Sequence, residues 1–267
     1  MPELPEVQTV LEGLQSVLKD RILTGVECYY PGTVIESAAI SGCPFPASIG
    51  EFKRRGKYLL LHLESASSLI IHLRMTGKLV YEPNPEEPHK HERARITLQG
   101  GDAVRFIDPR TFGKIILTPS NSLAQYLPDL GPEPLGTEFT PQYLHKALQR
   151  KSMPIKNALL DQRIVAGLGN IYVCEILYRS GIRPDLPAGK ISLTRLKLIV
   201  RHTREVLNES LAAGGTSVSD YRRIDDKSGE FQNFLRVYQK DTCPLGHSIS
   251  NIRLGGRSSF YCPVCKK

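Results

Sequence analysis

No stretch of this 267-residue chain approaches the ~20 apolar residues that a bilayer-spanning helix requires. No positively charged segment leading into an apolar run opens it, so a signal peptide is not expected and a cytoplasmic location is. Internal repeats and low-complexity tracts are missing as well. Acidic residues are in deficit, with 27 Asp and Glu against 35 Lys and Arg, which leaves a formal charge of +8. That excess suits a polyanion, because each cation placed on a phosphate releases condensed counterions; the same charge also serves ordinary solubility. Cysteine is sparse, at six residues, and disulfides rarely persist in the cytosol. Cys28, Cys43 and Cys174 are scattered and are expected as reduced thiols, whereas Cys243, Cys262 and Cys265 crowd the C-terminus. What remains is a globular composition, 40% hydrophobic and 23% charged, long enough for two domains.

Leu4, Val7, Val10, Leu11, Leu14, Val17 and Leu18 recur at helical spacing, and Pro5 suits a first turn, so residues 3–18 are expected to form an amphipathic helix. Between 22 and 117 the period changes to short apolar runs, among them Tyr58–Leu63, Leu69–Leu73, Ala94–Leu98, Val104–Ile107 and Lys114–Leu117, separated by turn residues. A β-sandwich or barrel follows. Five prolines and two glycines between 119 and 141 mark a linker. Helical periodicity returns at 141–150, 154–166, 170–179 and 191–213. The expected boundaries are 1–118, 119–140, 141–233 and a basic terminal segment at 234–267.

The terminal segment contains C-x3-H-x14-C-x2-C, formed by Cys243, His247, Cys262 and Cys265. Three thiolates and one imidazole make a complete tetrahedral set for one zinc ion. With no open position for water, its role is architectural, holding a β-hairpin that carries Arg257. Upstream, Gly167 and Gly169 in Ala166–Tyr172 permit a tight turn before a helix whose free N–H groups and positive dipole end point outward. That geometry serves a phosphate, with Asn170 adding an amide, or a plain helix–helix turn.

Met1-Pro2-Glu3-Leu4-Pro5-Glu6-Val7, Asp108–Gly113, Leu130–Leu135, the glycine turn with its flanks from Asn157 to Pro184, and the terminal cysteines occur in the order found in formamidopyrimidine-DNA glycosylases. The chain resembles that family over nearly its whole length. The resemblance implies an α+β protein: an N-terminal β-sandwich with a leading α-helix, then a C-terminal helical domain with a helix-two-turn-helix and a β-hairpin zinc finger. It further implies a monomeric, nucleoid-associated base-excision-repair enzyme acting on double-stranded DNA that contains oxidised purines. In that family Pro2 is the nucleophile, Glu3 the acid that protonates the sugar ring oxygen, and Lys57 and Arg257 bind phosphate and assist β- and δ-elimination. Asn170 joins them on phosphate. Met75 and Phe112 fill the gap left by the extruded nucleotide, Arg110 bonds the orphaned cytosine, and His91 and Lys151 contact DNA. A polar loop at 216–231 is expected to close over the lesion. The family usually has four cysteines in the finger; here Gly246 stands where the second falls, and His247 is expected to replace it.

The chemistry also follows from the residues. A proline after the initiator favours excision of Met1, which exposes an α-amine. Near a pKa of ~7.8 that amine is roughly one-seventh neutral at pH 7, whereas lysine near 10.4 is neutral about once in 2,500. Attack by a secondary amine on the sugar C1′ gives an iminium with a fixed positive charge, which acidifies the C2′ proton. Glu6, three residues beyond Glu3, is expected to cap the helix rather than react. Two rivals stand beside this reading. An endonuclease VIII-like enzyme would share the nucleophile but take oxidised pyrimidines. A zinc protein that only binds DNA would form no covalent adduct.

Overall fold

The computed structural model describes residues 1–217, 224–225 and 227–265. Residues 218–223 and 226, within the expected lesion loop, and the terminal Lys266 and Lys267 lie outside the described residues. The chain forms two compact units, Met1–Pro128 with Ala213–Glu230, and Asp129–Ala212 with Phe231–Lys267.

The first unit opens with α1 (Leu4–Leu18), followed by β1 (Ile22–Cys28), β2 (Val34–Glu36), β3 (Ala47–Arg55), β4 (Tyr58–Leu63), β5 (Ser67–His72), β6 (Lys78–Glu82), β7 (Glu92–Leu98), β8 (Ala103–Ile107) and β9 (Lys114–Pro119). The strands hydrogen-bond in the order β2-β9-β5-β4-β3-β1-β7-β8-β6, all antiparallel except β2 with β9. At the middle of this ladder β1 and β3 share only Ile22–Ser48 and Leu23–Ala47, and the register shifts just beyond, at Leu23/Gly25 and Ile49/Glu51. Such irregularities bend a sheet, and here they fold the ladder into a sandwich. Leu59, Leu61, Leu69, Ile71, Ile115 and Leu117 from one half and Leu79, Ala94, Ile96, Val104 and Phe106 from the other share a single core. The expected apolar stripe of α1 closes it with Val7, Val10, Leu11, Leu14 and Leu18.

Residues 213–230 join this unit, although the boundaries drawn from sequence run 141–233 as one domain. Ile224 packs in the sandwich core, its carbonyl accepts the Tyr81 N–H at 3.3 Å, and the Thr216 N–H reaches the Glu6 carboxylate at 2.7 Å.

The second unit carries α2 (Pro141–Leu148), α3 (Ile155–Leu160), α4 (Asn170–Arg179), α5 (Leu193–Ala212), β10 (Ser250–Leu254) and β11 (Arg257–Tyr261). Helix α3 is shorter than the 154–166 periodicity implies. Beyond Asp161 the backbone bonds instead to the extended segment before α2: the Gly131 N–H donates to Gln162 O (2.8 Å) and the Ala166 N–H to Pro132 O (3.1 Å). A Cβ at Gly131 would lie 2.6 Å from the Ile164 backbone, so only glycine permits that approach. Helices α4 and α5 are joined by a buried hydroxyl pair, Tyr172–Ser210 at 2.6 Å, and by a two-pronged Arg179–Glu209 ion pair. No helix among the described residues is long and apolar enough to cross a membrane.

Candidate nucleic-acid interface and active site

Pro2 and Glu3 are buried directly before α1. Glu3 is the N-cap and Glu6 the N3 residue of a reciprocal capping box: the Glu3 N–H donates to Glu6 Oε2 (2.8 Å), and the Glu6 N–H donates to the Glu3 carboxylate. The helix thus supplies the Glu3 carboxylate with an amide donor and a positive dipole end at the residue next to Pro2. Glu6, 2% exposed, spends its other oxygen on Thr216 and so caps the helix, as its spacing implies.

Lys57 follows Gly56 in the turn between β3 and β4 and is 7% exposed. Gly56 takes φ +56°, which closes the turn. Arg54 ties this hairpin to α1, donating to Gln8 Oε1 (3.0 Å) and to the Gly56 carbonyl (2.9 Å). At the end of β5, burial first, and then the Arg74 and Lys57 cations, pull His72 down to about 3. It is neutral at physiological pH, and its Nδ1 accepts the Arg74 N–H at 2.9 Å.

Three of the expected DNA-contacting segments of this unit meet at one buried residue, Asp108. Asp108 is fully buried; it accepts the Thr76 hydroxyl, the Arg110 N–H (3.2 Å) and the Gly113 N–H (2.8 Å), while its own N–H donates to the His91 carbonyl (2.9 Å). Met75 and Phe112 emerge from the loops so held with 40% and 50% of their surface exposed, and the Arg110 guanidinium stacks 5.2 Å from the Phe112 ring. A methionine that general statistics would put in a core therefore stands at the surface. Gly113 packs against the Phe106 ring, where a Cβ would clash. Replacing Asp108 with alanine strands a buried amide and a hydroxyl, and unfolding in urea should show a loss of about 2 kcal/mol.

In the second unit Gln162 stitches the glycine turn. Its amide donates to Leu160 O (3.1 Å) and Leu168 O (2.9 Å), its carbonyl accepts the Gly167 N–H (2.9 Å), and Gly167 takes φ +83°. Asn170 then opens α4 and donates to the Ser258 carbonyl at 3.1 Å. Ser258 follows Arg257, which stands exposed beyond the Gly255-Gly256 turn of the β10–β11 hairpin. Both glycines have positive φ, as a two-residue hairpin turn demands. Asn170 and Arg257 are thus brought together, while Lys57 belongs to the other compact unit. Lys151 lies half-buried just after α2, its carbonyl accepting the Gly189 N–H at 2.9 Å.

Sequence reasoning missed Lys156. Its fully buried ammonium donates to Ser258 O (2.6 Å) and Ser259 Oγ (2.7 Å) and clamps the strand carrying Arg257. Nothing in Ile155-Lys156-Asn157 distinguishes it from a solvated lysine. Lys156→Met removes the clamp and leaves two acceptors short of a donor, so duplex affinity should fall about tenfold in a fluorescence titration. Glu175 was missed too; buried on α4, its carboxylate accepts the N–H groups of Arg236, Val237 and Tyr238, each at 2.9 Å, and fixes the entry to the terminal hairpin.

The ligand atoms of Cys243, His247, Cys262 and Cys265 all lie within 4.8 Å of one another. Cys243 Sγ is 3.8 Å from Cys265 Sγ and 3.6 Å from His247 Nδ1, and His247 Nδ1 is 3.3 Å from Cys265 Sγ. A tetrahedron with ~2.3 Å metal–sulfur bonds has edges of about 3.8 Å, so the set fits one ion. Gly246 makes the knuckle with φ +78°, a conformation that strains a residue bearing a Cβ, and its N–H donates to Cys243 O at 2.8 Å. Burial pushes the Cys243 thiol up, but hydrogen bonds from the Leu245 and His247 N–H groups, with those of the Tyr178 and Cys262 side chains, outweigh this and hold it at about 6.

Residues 1–115 match the family model of the formamidopyrimidine-DNA glycosylase N-terminal domain, and residues 130–222 that of the formamidopyrimidine-DNA glycosylase H2TH domain. The formamidopyrimidine-DNA glycosylase of Synechocystis is 40% identical over all of this chain and 98% of its own. Among solved structures, a mutant Lactococcus lactis enzyme in complex with Fapy-dG-containing DNA superposes over the full length of both chains with a TM-score of 0.90 at 31% identity. A Lactococcus lactis mutant with Gly-His in place of one cysteine, bound to THF-containing DNA, does so with a TM-score of 0.90 at 30% identity. With its capped N-terminal helix, sandwich and cysteine–histidine hairpin, the chain belongs to the formamidopyrimidine-DNA glycosylase family.

Proposed function

We propose that this protein is a bifunctional DNA glycosylase and AP lyase that removes oxidised purines, 8-oxoguanine and formamidopyrimidines, from double-stranded DNA. The observation that carries the reading is the Pro2-Glu3 pair at the mouth of α1, with the Glu3 carboxylate oriented by the capping box beside a prospective secondary amine. After loss of Met1, the Pro2 nitrogen attacks C1′ while Glu3 gives a proton to the ring oxygen; the base departs and an iminium joins protein to sugar. Loss of the C2′ proton breaks the 3′ C–O bond, and a second elimination releases the 5′ phosphate. Lys57 and Arg257 hold these phosphates with Asn170 and assist the two eliminations; His91 and Lys151 contact the flanking strand.

To expose C1′ the nucleotide leaves the stack, and Met75 and Phe112 fill its place while Arg110 pairs with the orphaned cytosine. Their exposure and their common attachment to Asp108 support those roles. Cys243, His247, Cys262 and Cys265 hold one zinc ion, which supplies rigidity to the hairpin bearing Arg257 and no open coordination position. The protein works as a cytoplasmic, nucleoid-associated monomer.

Borohydride reduction in the presence of duplex DNA carrying 8-oxoguanine opposite cytosine tests the reading. A covalent protein–DNA adduct is expected. No adduct would favour a protein that only binds DNA, and an adduct formed only with oxidised pyrimidines would favour the endonuclease VIII-like reading.

A further inference from the structure

Arg93, on β7, has no role in the chemistry above, yet its guanidinium faces three groups, two of them in the expected DNA-contacting segments. Its Nε donates to the carbonyl of Asp108 at 2.8 Å. Its Nη2 lies 3.4 Å from Nδ1 of His91. Its plane stacks 5.2 Å from the ring of Tyr30, whose own N–H donates to the Arg93 carbonyl at 3.2 Å. The neighbouring carboxylate of Glu92 is engaged elsewhere, by Arg95 at 2.8 Å and Arg105 at 2.7 Å.

A guanidinium has five donors, no acceptor, and a proton it does not surrender. The contact with His91 therefore has one possible polarity: Arg93 donates and Nδ1 accepts. In a neutral imidazole the proton must then sit on Nε2, the nitrogen on the far side of the ring. Partial desolvation and the nearby Arg93, Lys90 and His89 all hold His91 below its ordinary pKa, so the neutral ring is the relevant one. His89 does not compete for this nitrogen, since its own Nδ1 accepts the His91 N–H at 3.1 Å.

We propose that Arg93 is a positioning residue that fixes His91 as a neutral Nε2–H donor and locks that donor to the Asp108 loop carrying Arg110 and Phe112. The inference rests on the reading of His91 as a DNA contact. A donor with a preset tautomer and direction donates to a phosphate oxygen without taking up a proton and without losing rotamer freedom on binding. Arg93 thereby joins two contacts that approach the duplex from different strands of the sandwich.

The test is a double-mutant cycle on affinity for duplex DNA containing a non-cleavable abasic-site analogue. His91→Ala and Arg93→Ala should each weaken binding about fivefold, and the double variant should lose clearly less than the product of the two, because Arg93 acts largely through His91. Nitrogen-15 spectra of His91 should show the Nε2–H tautomer alone in the native protein and a mixture of tautomers in Arg93→Ala. Arg93→Lys keeps a cation and guards against misfolding; a single ammonium cannot span both partners, so its binding should fall between native and alanine. Fully additive losses, or an unchanged tautomer in Arg93→Ala, overturn the proposal. An unchanged affinity in His91→Ala removes instead the reading of His91 as a DNA contact, and the proposal with it.

Discussion

Pro2→Gly should lower borohydride-trapped adduct and strand cleavage at 8-oxoguanine by on the order of 100-fold or more, with folding unchanged. The α-amine survives this substitution, and so does its favourable protonation state. What disappears is the secondary amine, and with it the iminium whose charge is fixed. A primary amine forms an imine that must be protonated before it withdraws electrons from C2′. The pyrrolidine ring also limits the directions in which the lone pair can point, and glycine at a chain terminus has no such restriction. Undiminished cleavage in gel assays of Pro2→Gly would refute the assignment. Stability is expected to hold because the capping box uses Glu3 and Glu6 and needs nothing from the Pro2 ring.

Stripping the metal should have an effect of similar size by a different route. The fully buried apolar cluster at the terminal hairpin is small, Cys174 of α4 with Val237, Cys243 and Cys262, and two of these four belong to the proposed zinc set; Tyr178, Tyr238, Ile249 and Phe260 pack against it only partly buried. Without an ion the three thiols and the imidazole lose what holds them within 4.8 Å, and Arg257 loses its fixed position. Chelation is therefore expected to cost at least about 100-fold in duplex affinity, recovered when zinc is restored. Metal analysis should return one zinc per chain. His247→Ala should lose that zinc and His247→Cys should keep it, whereas full zinc content in His247→Ala would remove the histidine from the ligand set. The observed separations, 3.3 to 3.8 Å, leave room for a single small ion at the centre of the four side chains.

The legible parts of this molecule were those governed by local physics. Helix α1 follows from a stripe of apolar residues at helical spacing and a proline in its first turn, and α4 begins at Asn170 directly after the turn made by Gly167 and Gly169. Cysteine–histidine spacing was enough to pick out four side chains that the fold gathers within 4.8 Å, His247 among them. The end of α3 was not legible, because competition from Gly131 and Pro132, thirty residues earlier in the chain, stops that helix. Nor was the return of residues 213–230 to the first unit, which depends on Ile224 fitting a notch that the missing side chain of Gly13 leaves on α1.

The buried polar residues were the hardest to foresee. Lys156, Asp108 and Glu175 read as ordinary surface charges, and only their tertiary partners show that each holds a neighbouring segment in place. Asp108 stood inside a recognisable run with Arg110 and Phe112, yet nothing in that run tells which residue touches DNA and which supports the others. A carboxylate with three donors in a buried setting is a scaffold, whereas an exposed phenylalanine on the adjoining turn is not needed by the core.

Peptide mapping of the borohydride-reduced adduct by mass spectrometry tests the central claim most directly. The account predicts deoxyribose attached to the nitrogen of residue 2, in a polypeptide that has lost Met1. Attachment to the amine of Lys57 or another lysine, or an initiator still present on protein that incises damaged duplex at full rate, would contradict it.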